Sequence, residues 1–311
     1  NSSCRLMKKK ILILAGGYSK EREISLLTGK EVFKAIKKKY RTKIIDPKGN
    51  LVHMLKKIKP DIVFNALHGR FGEDGYVQSI LEIQKIKYTH SGILSSSLAI
   101  DKELSKNIFK NNGILTPKFF KLKKKFFYNK SYVLKKINSL LNFPVVIKPV
   151  NEGSSVGVFI CNKKNIFKFI KKLHSYDEII VEKYIPGREI QSAIMGNTKL
   201  GAIELIPKRK FYDYQAKYNP KAKTKHIIPV DLNKNKLNEI LSIAFKAHKV
   251  IGCRGVTRSD FKFYRGNFYL LEINTQPGMT KLSLVPEIAA FKGISFIKLI
   301  EWILKDASTK R

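Results

Sequence analysis

The sequence predicts an α/β protein that opens with a parallel sheet and continues as a strand-rich part of α+β character. Three observations carry that expectation. A continuous apolar run, Ile11 to Ala15, passes through a glycine turn into a helical pattern from Ser25 to Lys39, which is how an open parallel sheet begins. A second run, Asp61 to Leu67, empties into a loop, His68 to Gly75, that sets three glycines among charged groups. Near the carboxyl end, the apolar runs Gly255 to Phe263 and Phe268 to Ile273 are joined by Tyr264-Arg265-Gly266-Asn267, a connection of hairpin length.

In the first of these regions the helix after Gly16-Gly17 has Leu26, Leu27, Val32, Phe33 and Ile36 on one side. Glu21 stands in the turn before it, where a carboxylate can anchor an ammonium group. No GxGxxG follows the strand, which argues against a dinucleotide site. Ile44 to Asp46 reads as a short second strand. The glycines around His68 mark a loop that must come close to something, and His68 at a strand's carboxyl end is a candidate binding residue. Val77 to Ile83 reads as a helix, and Tyr88 to Gly92 as the last strand of this region.

Asp101-Lys102 opens a helix to about Asn111, and the lysine-rich stretch Lys121 to Lys130 reads as a surface segment. Phe143 to Val150 is a strand whose interior carries Lys148. A lysine among Val and Ile is disfavoured unless it meets an anion, so phosphate is its natural partner. Glu152-Gly153-Ser154-Ser155-Val156-Gly157 then leads to the strand Val158 to Cys161, a hairpin loop able to cover phosphates with N–H and hydroxyl donors. It is no Walker loop, because no GK[ST] follows. After the helix Asn165 to His174 comes the strand Glu178 to Tyr184 and a turn, Ile185 to Glu189. Glu182-Lys183 with Glu189 is an arrangement able to hold an adenine and a ribose.

Ile190 to Met195 and Leu200 to Pro207 read as strands. Lys208 to Ile228 has no clean period and many aromatics, and a loop of that length in a compact domain is usually functional, often a lid. Lys234 to Ile251 and Phe296 to Asp306 read as helices. Between them, Glu272 and Asn274 leave one face of their strand at i and i+2, as do Arg258 and Asp260 on the neighbouring run. The hairpin places Asp260 beside Glu272 and Asn274, with Arg258 close by. Two carboxylates and a carboxamide are hard oxygen donors that suit Mg²⁺ rather than Zn²⁺. Pro277-Gly278 then turns the chain with backbone N–H groups able to meet an anion.

The bulk properties set limits. A chain of 311 residues with 43% hydrophobic residues can build two or three domains with a sizeable core. Lys+Arg number 61 against Asp+Glu 24, a formal charge of +37, but the lysines are spread through nearly every segment and no nucleic-acid recognition motif accompanies them. The excess reads as a solvated surface with weak, nonspecific affinity for polyanions. Three distant cysteines without a CxxC argue against a disulfide framework or zinc site and for a reducing cytosol. No apolar run approaches the ~20 residues a membrane span needs. Met7 reads as the natural start.

The segments GGYSKEREIS (16–25), ALHGRFGEDG (66–75), KPVNEGSSVG (148–157), VEKYIPGRE (181–189), FYDYQAKY (211–218), RSDF (258–261) and LEINTQPGMTKLSLVP (271–286) stand in one order along the chain. Together they resemble the D-alanine–D-alanine ligase family of the ATP-grasp superfamily, and they cover essentially everything from Met7. The resemblance implies an N-terminal open parallel-sheet domain (7–100) and a two-subdomain ATP-grasp fold (101–190 and 191–311, with the lid at 208–228). It implies a cytoplasmic homodimer that binds no specific nucleic acid and no membrane. ATP and two Mg²⁺ ions, with Mn²⁺ an accepted substitute, would join two D-alanine molecules through an acylphosphate.

Carried over to this sequence, the family's roles put the metal ions on Asp260, Glu272 and Asn274. Lys102, Lys148, Ser155 and Lys217 meet phosphate, while Glu182, Lys183, Ile185 and Glu189 hold adenosine. Glu21 and His68 face the first D-alanine. Arg258 and the Gly278 N–H form the oxyanion site, and Ser283 with the Leu284 backbone takes the second carboxylate. Ser154 and Tyr218 link with Glu21 to lock the lid. Thr257, Ser259 and Gln276 depart from the family pattern without removing a ligand. A D-alanine–D-lactate enzyme of the same fold is the alternative within the superfamily, and Tyr218 favours the dipeptide-forming type.

Overall fold

A computed structural model of the chain describes residues 9–153, 156–207, 224–280 and 282–310. Three sheets organise it. The first is parallel, in the order β2-β1-β3-β4, from β1 (Lys10–Leu14), β2 (Arg41–Ile45), β3 (Ile62–Asn65) and β4 (Lys87–Tyr88). Between them run α1 (Arg22–Ile36), α2 (Leu51–Ile58) and α3 (Tyr76–Ile83). β1 is apolar from Ile11 to Leu14 because both its faces are covered. Ile11 and Ile13 pack with Val32 and Ile36 of α1, while Leu12 and Leu14 pack with Leu51 and Leu55 of α2 and Leu81 of α3. The β1–β3 pairing leaves the loops after both strands side by side at the carboxyl edge, where open α/β sheets bind ligands.

Two helices, α4 (Ile93–Ile100) and α5 (Lys102–Asn111), lead out of this region. Asp101 separates them in an extended conformation and caps α5 by accepting from the Glu103 and Leu104 N–H groups. The second sheet is antiparallel, in the order β5-β8-β6-β7, from β5 (Phe119–Lys123), β6 (Val145–Pro149), β7 (Phe159–Cys161) and β8 (Glu178–Lys183). On it pack α6 (Lys130–Leu140) and α7 (Ile166–Lys172).

The third sheet follows the order β11-β10-β9-β12-β13, from β9 (Arg188–Met195), β10 (Thr198–Ile206), β11 (Lys225–Ile227), β12 (Val256–Tyr264) and β13 (Asn267–Asn274). Its helices are α8 (Lys234–Ile251), α9 (Leu284–Phe291) and α10 (Phe296–Asp306). Cores do not stop at the sheets. Ala99, Phe109 and Ile114 pack with Ile190, Ile194 and Phe261 of the third sheet, and Leu299, Ile300 and Ile303 of α10 share a core with Ile11, Val32 and Phe64.

Several local expectations need correction. The lysine-rich stretch Lys121 to Lys130 is no mere surface segment, because Leu122 and Phe120 are buried core positions of β5 and Lys130 begins α6. Alternation of Phe120 and Leu122 with lysines is the period of a half-buried strand, which the charge masked. Tyr88 to Gly92 gives only a two-residue strand, because His90 takes a positive φ of 68° and the chain turns into α4. α2, α4, α6 and α9 lie in segments to which the sequence pattern assigns no helix. Of the segment expected to form the lid, 208–223 lies outside the described residues, and Lys225–Ile227 is an edge strand paired with β10.

Candidate functional site

The hairpin of β12 and β13 supplies the centre of the site. Its turn is two residues, Arg265 and Gly266, both with positive φ, closed by the Tyr264–Asn267 pair. Counted from that turn in even register, Asp260 would stand opposite Leu271, and Glu272 would leave the other face. A bulge between Asp260 and Phe261 removes the mismatch. Beyond it Asp260 pairs with Glu272 and Arg258 with Asn274, so all four side chains share one face.

Asp260 accepts two hydrogen bonds from Arg258, Nε to Oδ1 at 2.7 Å and Nη2 to Oδ2 at 3.0 Å. Both residues are buried, which makes this a charge-assisted, fork-like pair rather than a surface contact. The Glu272 carboxylate lies 3.6 Å from the Lys102 ammonium, and Asn274 Oδ1 accepts from the Gln276 N–H at 2.8 Å. Two carboxylates and a carboxamide on one face form an all-oxygen donor set that fits Mg²⁺, and each retains acceptor capacity beyond these bonds. Among the described residues no three His, Cys, Asp or Glu side chains cluster as a metal centre, so the set depends on Asn274 as a donor.

A cleft of about 850 Å³ of open space runs from this face to β6 and β8. Glu182, Lys183, Ile185 and Glu189 line it beside Lys102 and Lys148, together with Asp260 and Glu272. Lys148 sits in the buried strand β6 and donates to Glu182 Oε1 at 2.7 Å. Lys106, which the sequence reading passed over, lies 2.9 Å from Glu182 Oε2. Burial alone would raise the Glu182 carboxyl, but Lys106 and Lys148 overcome it and hold it below the ordinary range. The Glu182 carboxylate thus serves two lysines, an engagement the adenosine role did not include. Glu189 pairs with Lys262 at 3.0 Å, and the Lys183 ammonium donates to the Asn142 carbonyl at 3.1 Å.

A second cleft, of about 420 Å³, continues from Glu272 and Asn274 past Arg258 and Lys102 to Gly153 and Glu73. Lys102 is buried there and donates to the Glu152 carbonyl. Glu21 stands just behind Gly153 at the start of α1, and its side chain makes no cap hydrogen bond to that helix. A Cβ at Gly153 would stand 2.9 Å from Glu21 Oε2, so the backbone of this loop passes directly against the Glu21 carboxylate. Glu73, a further residue missed from the sequence, is buried beside Glu21 and accepts from the Gly69 N–H at 2.6 Å. Burial and next the Glu21 charge push the Glu73 carboxyl well above its usual range. Its only signal in the sequence was membership of the glycine loop.

His68 is buried in the same loop, and burial followed by the nearby Arg258 charge brings its imidazole down to about 4. The Gln276 side-chain amide donates to the Leu67 carbonyl, joining this loop to the turn after β13. In that turn Ser283 Oγ accepts from the Thr280 N–H at 2.9 Å, and a Cβ on Gly278 would lie 3.1 Å from it. Ser283 and Leu284 stand at the N-terminus of α9, where backbone N–H groups and the helix dipole favour an anion. The two clefts therefore gather Lys102, Lys148, Glu182, Lys183, Ile185, Glu189, Arg258, Asp260, Glu272 and Asn274, with Glu21 and His68 adjoining them, whereas Gly278 and Ser283 lie in the turn beyond Asn274 and line neither cleft. Ser154, Ser155, Lys217 and Tyr218 lie outside the described residues.

Comparison with known proteins finds two family models along the chain, "D-ala D-ala ligase N-terminus" over residues 50–91 and "D-ala D-ala ligase C-terminus" over residues 108–305. A D-alanine–D-alanine ligase of Pelagibacter ubique is 66% identical over 306 residues, covering 98% of this chain and 100% of that protein. One from a Wolbachia of Drosophila simulans is 45% identical, covering 97% and 95%. Among solved structures, the Bacillus anthracis D-alanine–D-alanine ligase complexed with ATP superposes with a TM-score of 0.82 at 30% identity, covering 96% of this chain and 97% of that one. The VanG D-Ala:D-Ser ligase of Enterococcus faecalis gives 0.81 at 28% identity, covering 96% and 99%.

Proposed function

The chain belongs to the D-alanine–D-alanine ligase family, and from that premise we propose how its own residues join two D-alanine molecules at the expense of ATP. The product serves peptidoglycan precursor synthesis, the role of this family. The chain is an ATP-dependent ligase with ATP-grasp architecture.

ATP lies in the cleft between the second and third sheets, with adenosine against Glu182, Lys183, Ile185 and Glu189. Lys102 and Lys148 contact its phosphates, joined by Ser155 and Lys217. Asp260, Glu272 and Asn274 would hold two Mg²⁺, or Mn²⁺ in their place, which would supply charge to offset that of the transferring phosphoryl group. Glu21, beside His68, binds the ammonium of the first D-alanine and directs its carboxylate toward the γ-phosphate. The carboxylate oxygen attacks phosphorus, the bond to the ADP oxygen breaks, and an acylphosphate forms. Ser283 and the Leu284 N–H take the carboxylate of the second D-alanine. Its amine, after losing a proton, attacks the acyl carbon and phosphate departs. Arg258 and the Gly278 N–H stabilise the oxyanion of that tetrahedral step. Tyr218 and Ser154 tie the lid to Glu21.

The register that sets Asp260 opposite Glu272, beside a cleft containing Lys102 and Lys148, carries this reading. Units of 7–100, 101–190 and 191–311, a homodimer and a cytoplasmic setting complete it. Among the described residues no helix is long and apolar enough to cross a membrane. ADP release in the presence of D-alanine, D-alanine plus D-lactate, or D-alanine plus RNA tests it. D-alanine alone should support full turnover, and RNA should change nothing. Turnover that requires D-lactate would replace the dipeptide by a depsipeptide.

A further inference from the structure

α5 presents two lysines one turn apart on the same face, Lys102 and Lys106. Lys102 reaches the reaction cleft, whereas Lys106 has no exposed surface and does not line it. The Lys106 ammonium lies 2.9 Å from Glu182 Oε2, donates to Thr116 Oγ1 at 2.8 Å, and stands 5.4 Å from the centre of the Phe119 ring. The other oxygen of Glu182 accepts from Lys148 at 2.7 Å. One buried carboxylate is therefore shared by two ammonium groups, one facing the nucleotide and one behind it. Glu272 is the next charge in range, and Lys110 lies across the Phe119 ring at 5.8 Å.

A buried lysine is a poor choice for packing alone, since Met or Leu would fill the same space without desolvating a charge. Its consequence is electrostatic. A Lys148–Glu182 pair by itself is neutral, so an arriving triphosphate would meet a lysine whose charge is already matched. With Lys106 behind Glu182 the trio carries one net positive charge, and the carboxylate is held toward the protein interior. We propose that Lys106 is a positioning residue for nucleotide binding, holding Glu182 from behind so that the charge of Lys148 acts on the phosphates of ATP. The proposal rests on the reading of this cleft as the ATP site. Burial also brings the Lys106 ammonium down to about 8, so the trio becomes neutral in mild base.

The test is calorimetric titration of ADP, and separately of adenosine, into the wild type, Lys106→Met and Lys106→Arg between pH 7.5 and about 9. ADP should bind Lys106→Met about tenfold more weakly at the lower pH, as expected for one lost charge near the phosphates, while adenosine, which meets Glu182 but not the charge of Lys148, should lose much less. Wild-type affinity for ADP should decline across the range relative to Lys106→Arg, whose guanidinium stays charged. Equal ADP affinity in Lys106→Met overturns the proposal. So does a parallel loss of adenosine binding, which would mark a collapsed cleft. If Lys106→Met does not fold, identical pH profiles for the wild type and Lys106→Arg overturn it equally. A wild type that binds neither ligand would instead refute the ATP site itself.

Discussion

Asp260 stands opposite Glu272 because β13 carries one more residue than β12 between that pair and the turn. The two carboxylates differ in surroundings. Asp260 is locked onto Arg258, while the Glu272 side chain keeps 24% of its surface exposed and meets Lys102 at 3.6 Å. Substituting either one should remove ligation, but their effects on stability should separate. Glu272→Gln should fold with near-normal stability and release no ADP at ordinary Mg²⁺, from the loss of several kcal/mol of charge stabilisation. Asp260→Asn should in addition lose about 3 kcal/mol of unfolding free energy, because it removes the charge from a buried, two-bond pair with Arg258. Denaturant melts beside ADP-release rates check both. Normal turnover in Glu272→Gln would take it out of the metal set.

Gln276 joins the turn after β13 to the loop after β3 through the Leu67 carbonyl. Gln276→Leu keeps the size of the side chain and leaves that buried carbonyl unpaired, a loss of about 1–3 kcal/mol. Because His68 follows Leu67 directly, the KM for D-alanine should rise several-fold while the KM for ATP stays near normal. Equal changes in both constants would mean that the contact only supports the fold.

Two buried histidines set the response to acid. Burial first, then Arg258, brings His68 to about 4, and burial first, then Lys249, does the same for His248, against an ordinary value of 6.5. Both are neutral when folded and take a proton when unfolded below that value. The stability they allow is complete above about pH 6.5 and lost as pH falls toward 4, on the order of 3 kcal/mol for each. Glu73 has the opposite sign, since a raised carboxyl loses its contribution as pH rises above 4.5. Urea midpoints at pH 7, 6 and 5 should therefore fall with pH, and His68→Asn should flatten that fall, because Glu73 then opposes His248 alone. An unchanged slope would contradict the buried, neutral imidazole.

The lysine-rich stretch divides into two kinds of residue. Lys121 bridges Glu103 at 2.5 Å and Glu178 at 3.1 Å, whereas Lys124 meets only Asp177, itself 93% exposed, at 3.8 Å. Changing Lys123, Lys124 and Lys125 to Gln should lower retention on a polyanion column and leave turnover and stability within about 0.5 kcal/mol. Lys121→Gln should lose up to about 1 kcal/mol of stability. A fall of turnover in step with retention would give the basic surface a role in function.

What the sequence determined by itself was local: apolar runs that become strands, glycine loops at their ends, and polar residues two apart that share a face. Asp260, Glu272 and Asn274 were legible because one short hairpin holds them, although the bulge that brings the carboxylates into register was not. The motif order carried the family. Only the tertiary structure decided which charges meet. Gln276 and Leu67 are 209 positions apart, Lys106 and Glu182 come from a helix and a strand with no shared pattern, and Glu73 meets Glu21 only across two loops. Periodicity reports which face of an element is buried, but the partner of a buried charge is set by how whole elements pack, because in a low-dielectric interior a charge persists only where the fold brings another to it.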